Sequence, residues 1–126
     1  MARFLWICLG GAIGTGARYL LSGWLARINP AFPWGTLAVN LIGSFLIAVI
    51  LQVSFTTESI SPTLRLFLTT GIMGGFTTYS TFNYETLRAF QDGNNWAGFL
   101  NLGGTVLGCL VAGILGTWSG RLLAGS

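Results

Sequence analysis

Residues 71–83 of the chain read GIMGGFTTYSTFN, and they interrupt an otherwise apolar stretch that runs from Leu64 to Phe90. The segment contains three glycines, four threonines or serines and three aromatic residues, but no charged residue. A membrane-spanning backbone normally stays helical, because lipid offers no hydrogen-bond partner to free N–H and C=O groups. Backbone this rich in glycine and hydroxyls persists at membrane depth only where protein or a water-filled path surrounds it. We therefore expect this segment to be the functional part of the chain.

The composition of the whole chain is typical of an integral membrane protein. Of the 126 residues, 52% are hydrophobic and 7% are charged, and the mean hydropathy is +0.71. About a quarter of the residues of a soluble domain are charged. Ionic groups therefore cannot cover this surface, and lipid must surround most of it. The length predicts a single domain that covers residues 1–126.

Several classes of function are disfavoured by the residues that are missing. The chain has no His and no Lys, and its only acidic residues are Glu58, Glu85 and Asp92. This removes most metal sites and most general acid–base chemistry, so we do not expect an enzyme. The six arginines are scattered and form no nucleic-acid patch. Cys8 and Cys109 are isolated within apolar runs, where they are expected to be packing side chains.

The hydrophobic pattern predicts an all-α membrane protein with four transmembrane helices. A helix needs about 20 apolar residues to cross the hydrocarbon core. Turn-forming residues separate the apolar runs, and Ser61 followed by Pro62 marks a helix start. The predicted spans are residues 4–25, 34–55, 62–90 and 96–123, and the third is expected to be broken.

The arginines give no firm orientation in the membrane. With four spans both termini share one side, which carries Arg3, Arg65 and Arg121, whereas the other side carries Arg27 and Arg88. Three against two is almost no bias under the positive-inside rule. Either an insertion partner fixes the topology, or copies insert in both directions. Dual topology would allow an antiparallel two-fold homodimer, whose interface must be self-complementary.

Glycines spaced four residues apart predict close packing of the helices. Such pairs let two helix backbones approach each other, and they are common in membrane bundles. They support a bundle without indicating a function. The pairs are Gly10 and Gly14, Gly71 and Gly75, Gly104 and Gly108, and Gly116 and Gly120.

Polar side chains within the second and fourth spans are candidates for an ion path. Asn40 lies in the middle of span two, where an unsatisfied amide costs several kcal/mol. It either bonds to a neighbouring helix or lines a polar path. Asn101, Thr105 and Cys109 recur every four residues and so share one face of span four. They either bond locally along their own helix or form a hydration track.

Two of the charged residues within the predicted spans, Arg18 and Glu85, are candidates for a role in function. Arg18 in span one is costly at that depth and is a functional candidate. The simpler interpretation is that it reaches towards the interface or pairs with Glu85. Glu85 is the only acidic residue inside a predicted span. One acid without a partner would make a weak proton relay.

The broken segment offers groups for an anion and for a cation. The rings of Tyr79 and Phe82 have positively polarised edges that can face an anion, although ordinary core packing is the simpler interpretation. Backbone carbonyls of Gly74, Gly75 and Thr77 would suit a hard cation such as Na⁺. The segment also provides four hydroxyl donors, Thr77, Thr78, Ser80 and Thr81.

Three motifs give the chain a resemblance to a known family. The run from Gly71 to Phe82, GIMGGFTTYSTF, resembles the third-span motif of the Fluc (CrcB) fluoride channels. The run from Trp34 to Asn40, WGTLAVN, resembles that family's second-span motif. Gly10 to Gly14 (GGAIG), followed by Arg18-Tyr19, resembles the first span. The likeness covers nearly the whole chain.

The resemblance implies passive fluoride export through a multi-pass protein of the bacterial inner (plasma) membrane, relieving fluoride toxicity. It implies an antiparallel, dual-topology homodimer with two pores and a structural Na⁺ on the dimer axis. The carbonyls of Gly74 and Thr77 would hold that ion. The ion pathway would comprise Asn40, Tyr79, Phe82, Ser80, Thr81, Asn101, Thr105 and Cys109. Arg18 and Glu85 would lie near the vestibule and the helix break.

Three positions depart from the family pattern. Tyr79 stands where phenylalanine is common, Asn101 where tyrosine is frequent, and Cys109 where a hydroxyl is expected. The phenol of Tyr79 adds a donor and an acceptor, and the thiol of Cys109 is a weaker donor. These departures affect the path through span four more than the overall function.

Two other transport functions are compatible with parts of the sequence. A proton-coupled fluoride antiporter would need a titrating acid, and Glu85 is the only candidate within the spans. A small dual-topology multidrug exporter would need a carboxylate that binds cations, but span one offers Arg18 and no acid. A non-transporting scaffold would explain the glycines but not the polar break.

Overall fold

The computed structural model describes all residues from Met1 to Ser126 and confirms the expected all-helical fold without strands. Three long helices are α1 (Ala2–Ile28), α2 (Trp34–Thr56) and α6 (Asn95–Ala124). Each is long and apolar enough to cross a membrane. The region between α2 and α6 is also helical but is divided into shorter pieces.

The region from Pro62 to Gln91 contains four consecutive helical segments. They are α3 (Pro62–Leu66), a π-helical segment (Phe67–Met73), α4 (Gly74–Phe76) and α5 (Tyr79–Gln91). Between α4 and α5, Thr77 has φ −89° and ψ 160°, and Thr78 has φ −151° and ψ 124°. These two residues are extended, so the helical backbone is interrupted there. No single piece is long enough to cross a membrane alone.

Side-chain caps explain where three of these helices begin. The Ser61 hydroxyl accepts a hydrogen bond from Leu64 N at 3.1 Å, and Pro62 occupies the first helical position of α3. The Thr78 hydroxyl accepts from Thr81 N at 3.3 Å at the start of α5. Asn94 caps α6 in the same way. Thr78 is therefore the last residue of the interruption, and its side chain starts the next helix.

Glycines bring α1 into close contact with residues 62–91, which we call the broken region. A Cβ placed on Gly10 would lie 2.7 Å from the carbonyl oxygen of Phe67 and 3.0 Å from Cα of Gly71. A Cβ on Gly14 would overlap the carbonyl oxygen of Ile72. Two of the predicted glycine pairs, one on α1 and one at 71 and 75, thus face each other. Only glycine permits this backbone approach.

The second close contact joins α2 and α6. A Cβ on Gly116 would overlap the carbonyl oxygen of Phe45, and one on Gly120 would lie 2.7 Å from Cβ of Gln52. The pair at 104 and 108 behaves differently, since a Cβ on Gly104 would meet nothing within 4 Å. Most large apolar side chains of α1 and α6 remain exposed, including Leu107 and Ile114. Those faces suit lipid or a second protein surface.

Replacing Gly14 with alanine should destabilise the protein, because the new methyl group would overlap the Ile72 backbone. Overpacking of this kind costs about 1–3 kcal/mol. Thermal unfolding in detergent would measure the loss. Gly16→Ala is the matched control, since a Cβ there meets nothing within 4 Å, and it should be neutral or slightly stabilising. Equal stability of the two variants would contradict the described packing.

Candidate functional site

The broken region, α2 and α6 together form a groove that contains no charged residue. Its volume is about 690 Å³. We call it the uncharged groove. Polar groups along it come from three elements, and the remaining lining is small or apolar. The polar lining includes Asn40, Ser44, Thr69, Thr70, Thr77, Thr78, Tyr79, Thr105 and Cys109.

The amide of Asn40 holds the interruption by two hydrogen bonds to one residue. Asn40 Nδ2 donates to the carbonyl oxygen of Thr78 at 2.9 Å, and Thr78 N donates to Asn40 Oδ1 at 2.8 Å. The side chain thus replaces the helical partners that the extended Thr78 backbone has lost. Asn40 is 8% exposed. Its amide has a second hydrogen, because Nδ2 carries two.

The break fits against α2 because Gly43 has no side chain. A Cβ on Gly43 would overlap the methyl group of Thr77. Gly43 lies three residues after Asn40, so both positions share one face of α2. Thr77 itself is anchored to the preceding turn, since its hydroxyl and its amide both donate to the carbonyl oxygen of Met73, at 2.9 and 3.0 Å.

Two backbone carbonyls at the break suit a hard cation. The Thr77 carbonyl accepts no hydrogen bond, because Thr81 N, its helical partner, bonds to the Thr78 hydroxyl instead. The Gly74 carbonyl loses its usual partner as well, since Thr78 N bonds to Asn40. Both residues line the uncharged groove. Unpartnered carbonyl oxygens are the ligands that Na⁺ prefers, so the donor set fits that ion.

The two aromatic rings after the break touch but differ in exposure. The centroids of Tyr79 and Phe82 are 5.7 Å apart, and the ring planes meet at 72° in an edge-to-face contact. Phe82 is 5% exposed, whereas Tyr79 is 77% exposed and its hydroxyl has no partner within the chain. Both rings line the uncharged groove. Phe82 is therefore fixed by packing, and Tyr79 projects from the surface.

A buried chain of hydrogen bonds supports Phe82 from behind. Thr86 donates from its hydroxyl to the Phe82 carbonyl oxygen at 2.8 Å, and Asn101 Nδ2 donates to the Thr86 hydroxyl at 2.9 Å. The Thr105 hydroxyl donates to Asn101 Oδ1 at 3.3 Å. Asn101 is 1% exposed and does not line the uncharged groove. Of the predicted ladder, Thr105 and Cys109 line that groove.

A second groove, of about 790 Å³, contains four charged residues, and we call it the charged groove. It is lined by Arg18, Glu85, Arg88 and Asp92 among others. Thr78, the residue that Asn40 binds, lines both grooves and therefore lies between them.

The suggested ion pair between Arg18 and Glu85 does not form. The Glu85 carboxylate instead accepts a hydrogen bond from the Thr36 hydroxyl at 2.6 Å, and the one salt bridge in the chain joins Arg88 and Asp92 at 3.2 Å. Arg18 Nε is buried without a hydrogen-bond partner. Arg18 and Glu85 share the charged groove as separate groups.

The remaining predicted residues occupy the rim of the break. Thr81 is exposed and lines the charged groove, and its hydroxyl lies 3.2 Å from that of Thr78. Ser80 is exposed and lines neither groove. Thr36 and Thr86 were not among the sequence predictions. Thr36 is a hydroxyl within the apolar helix α2. Thr86 follows Phe82 by four residues within α5, which is the spacing that could have indicated its role.

Comparisons with known proteins agree along nearly the whole chain. The family model described as CrcB-like protein, Camphor Resistance (CrcB), matches residues 5–117. A protein named Fluoride-specific ion channel FluC from Anaeromyxobacter sp. (strain K) is 56% identical over 126 residues, covering 99% of this chain and 100% of the relative.

Two further proteins with the same name show the same pattern. That of Sorangium cellulosum is 55% identical over 127 residues, with 99% of this chain and 100% of the relative covered. That of Geobacter sulfurreducens is 49% identical over 125 residues, with 98% of each chain covered. The chain therefore belongs to the CrcB family.

Proposed function

We propose that this protein is a passive fluoride-selective channel that exports fluoride across the cell membrane and relieves fluoride toxicity. The observation that carries the proposal is the uncharged groove, in which amide, hydroxyl and ring-edge groups line one surface without a single ionic side chain. Relatives that match nearly the whole chain are named fluoride-specific ion channels.

The groove has the chemistry that a small, strongly hydrated anion requires. Fluoride must exchange its water shell for hydrogen-bond donors before it enters a narrow path. Asn40 retains a second amide hydrogen, and the Tyr79 hydroxyl is unpartnered. The ring edges of Tyr79 and Phe82 add weaker positive polarisation. A buried arginine in the narrow path would bind fluoride too tightly for conduction, which needs sites that release the ion.

The charged groove would act as a vestibule. Arg18 supplies a positive charge close to the break, and Glu85 lies in the same groove with its carboxylate bonded to Thr36. The cationic Arg18 at the mouth would raise the local concentration of an anion, while the negative charge of Glu85 would limit how tightly that anion is held. Thr78, which lines both grooves, would mark the passage from the vestibule into the narrow path.

Two copies in antiparallel orientation would complete the path. The uncharged groove is open on one side in the single chain, and Tyr79 is 77% exposed there. A second copy related by a two-fold axis would close this side and create two equivalent pores. The nearly balanced arginines are compatible with insertion in both directions. The expected location is the inner membrane of a bacterium.

Na⁺ would be a structural ion at the axis of this dimer. The carbonyls of Gly74 and Thr77 would hold it, and the same pair from the second copy would double the oxygen ligands. The ion would supply a fixed positive charge at the centre of the assembly. No acidic side chain would take part, because none lines the uncharged groove.

Phe82→Ile should strongly reduce fluoride efflux, because it removes the ring edge that is fixed at the uncharged groove. We expect a fall of at least about tenfold, equivalent to a loss of about 1.4 kcal/mol. Purified protein in liposomes and a fluoride electrode would measure it, with chloride efflux as the selectivity control. Phe4→Ile, at a position on α1 that is 61% exposed, should behave as wild type. Unchanged efflux from Phe82→Ile would contradict the proposed path.

The first alternative, a proton-coupled fluoride antiporter, depends on Glu85. Glu85→Gln keeps an oxygen that can accept the Thr36 hydrogen bond but removes the titrating group. A channel should still release fluoride in this variant without an imposed proton gradient. An antiporter should lose all transport. The same liposome assay at two values of internal pH would distinguish them.

The second alternative, a small dual-topology multidrug exporter, has less support. Such an exporter needs a carboxylate in its substrate site to bind a cation. The uncharged groove contains none, and the single carboxylate within the predicted spans, that of Glu85, is bonded to Thr36 in the other groove.

A further inference from the structure

The buried hydrogen-bond chain behind Phe82 has a definite direction. Thr105 donates to Asn101, Asn101 donates to Thr86, and Thr86 donates to the carbonyl oxygen of Phe82. Each hydroxyl has a single hydrogen to donate. As long as the chain runs this way, the Thr105 hydrogen points away from the uncharged groove, although Thr105 itself lines it. The Thr105 oxygen can then offer only its lone pairs to an anion in the groove, and lone pairs repel an anion.

The Thr105 end of this chain is the weakly held one. Its O···O distance is 3.3 Å, whereas the two bonds nearer Phe82 measure 2.9 and 2.8 Å. Hydroxyl hydrogen bonds usually span about 2.7–2.8 Å, so the outer bond is long. A bond from a hydroxyl to an anion is roughly twice as strong as a neutral one. An anion in the groove can therefore compete with Asn101 for the Thr105 hydrogen.

We propose that Asn101 is a positioning residue that sets whether Thr105 can donate to the permeating anion; this inference rests on the proposed fluoride conduction. Asn101 does not contact the anion, because it is 1% exposed and both ends of its amide are engaged. Its oxygen holds the Thr105 hydrogen until an anion withdraws it. Asn101 thereby weakens anion binding at Thr105 and favours release.

Removing the Asn101 oxygen should free Thr105 to donate to the anion. Asn101→Leu keeps the branched shape but cannot accept a hydrogen bond. The initial rate of fluoride efflux from liposomes, measured against internal fluoride concentration, should show a half-saturating concentration that is about two- to tenfold lower. In a Thr105→Val background, adding Asn101→Leu should not change the half-saturating concentration. In a Thr105→Ser background, which retains a hydroxyl, adding Asn101→Leu should again lower it.

Thr86→Val provides an independent test if the Asn101→Leu protein does not fold. It removes the acceptor of the Asn101 amide hydrogen, so the amide can turn and donate to Thr105 instead. The half-saturating concentration should again fall, and only when Thr105 is present.

The outcomes separate this inference from the function on which it rests. A shift of equal size with and without Thr105, or no shift at all, would overturn the role of Asn101 while leaving fluoride conduction intact. Absence of fluoride efflux from the wild-type protein would overturn both. A shift that requires the Thr105 hydroxyl is the result that we expect, and a purely structural role for Asn101 would not produce it.

Discussion

The paired hydrogen bonds between Asn40 and the Thr78 backbone are the interaction on which the site depends. An extended residue within a helical span exposes an N–H and a C=O that lipid cannot satisfy, at a cost of several kcal/mol. Asn40 satisfies both groups at 2.9 and 2.8 Å. With Thr78 held in this way, the carbonyl of Thr77 loses its helical partner, and Tyr79 and Phe82 begin a new helix at the edge of the uncharged groove.

Glycine contacts provide the rigid frame around this break. The backbones of α1 and the π-helical segment approach so closely at Gly10 and Gly14 that a methyl group would overlap. Gly43 performs the same task between α2 and Thr77. A π-helical turn next to an extended break is weak by itself, and such turns are frequent at functional sites. Tight packing on two sides keeps the break in one position, so that the polar groups along the groove stay aligned.

The sequence predicted the parts of the protein that follow from local pattern. Apolar length and composition indicated a helical membrane protein. That the polar run from residue 71 to 83 is its functional segment stays a prediction. Pairing between distant residues could not be predicted. Nothing in the spacing indicated that Asn40 bonds to Thr78, that Glu85 bonds to Thr36 and not to Arg18, or that Asn101 is buried behind Phe82. These partners depend on how the helices rotate about their axes, which tertiary packing decides.

The most direct test of the account is fluoride efflux from liposomes that contain Asn40→Ala, measured beside wild type and Asn95→Ala. Asn95 is the exposed first residue of α6 and provides the matched loss of an amide. We predict that Asn40→Ala loses fluoride efflux while remaining folded, because the break is no longer held, and that Asn95→Ala conducts as wild type does. Wild-type efflux from a folded Asn40→Ala protein would contradict the account.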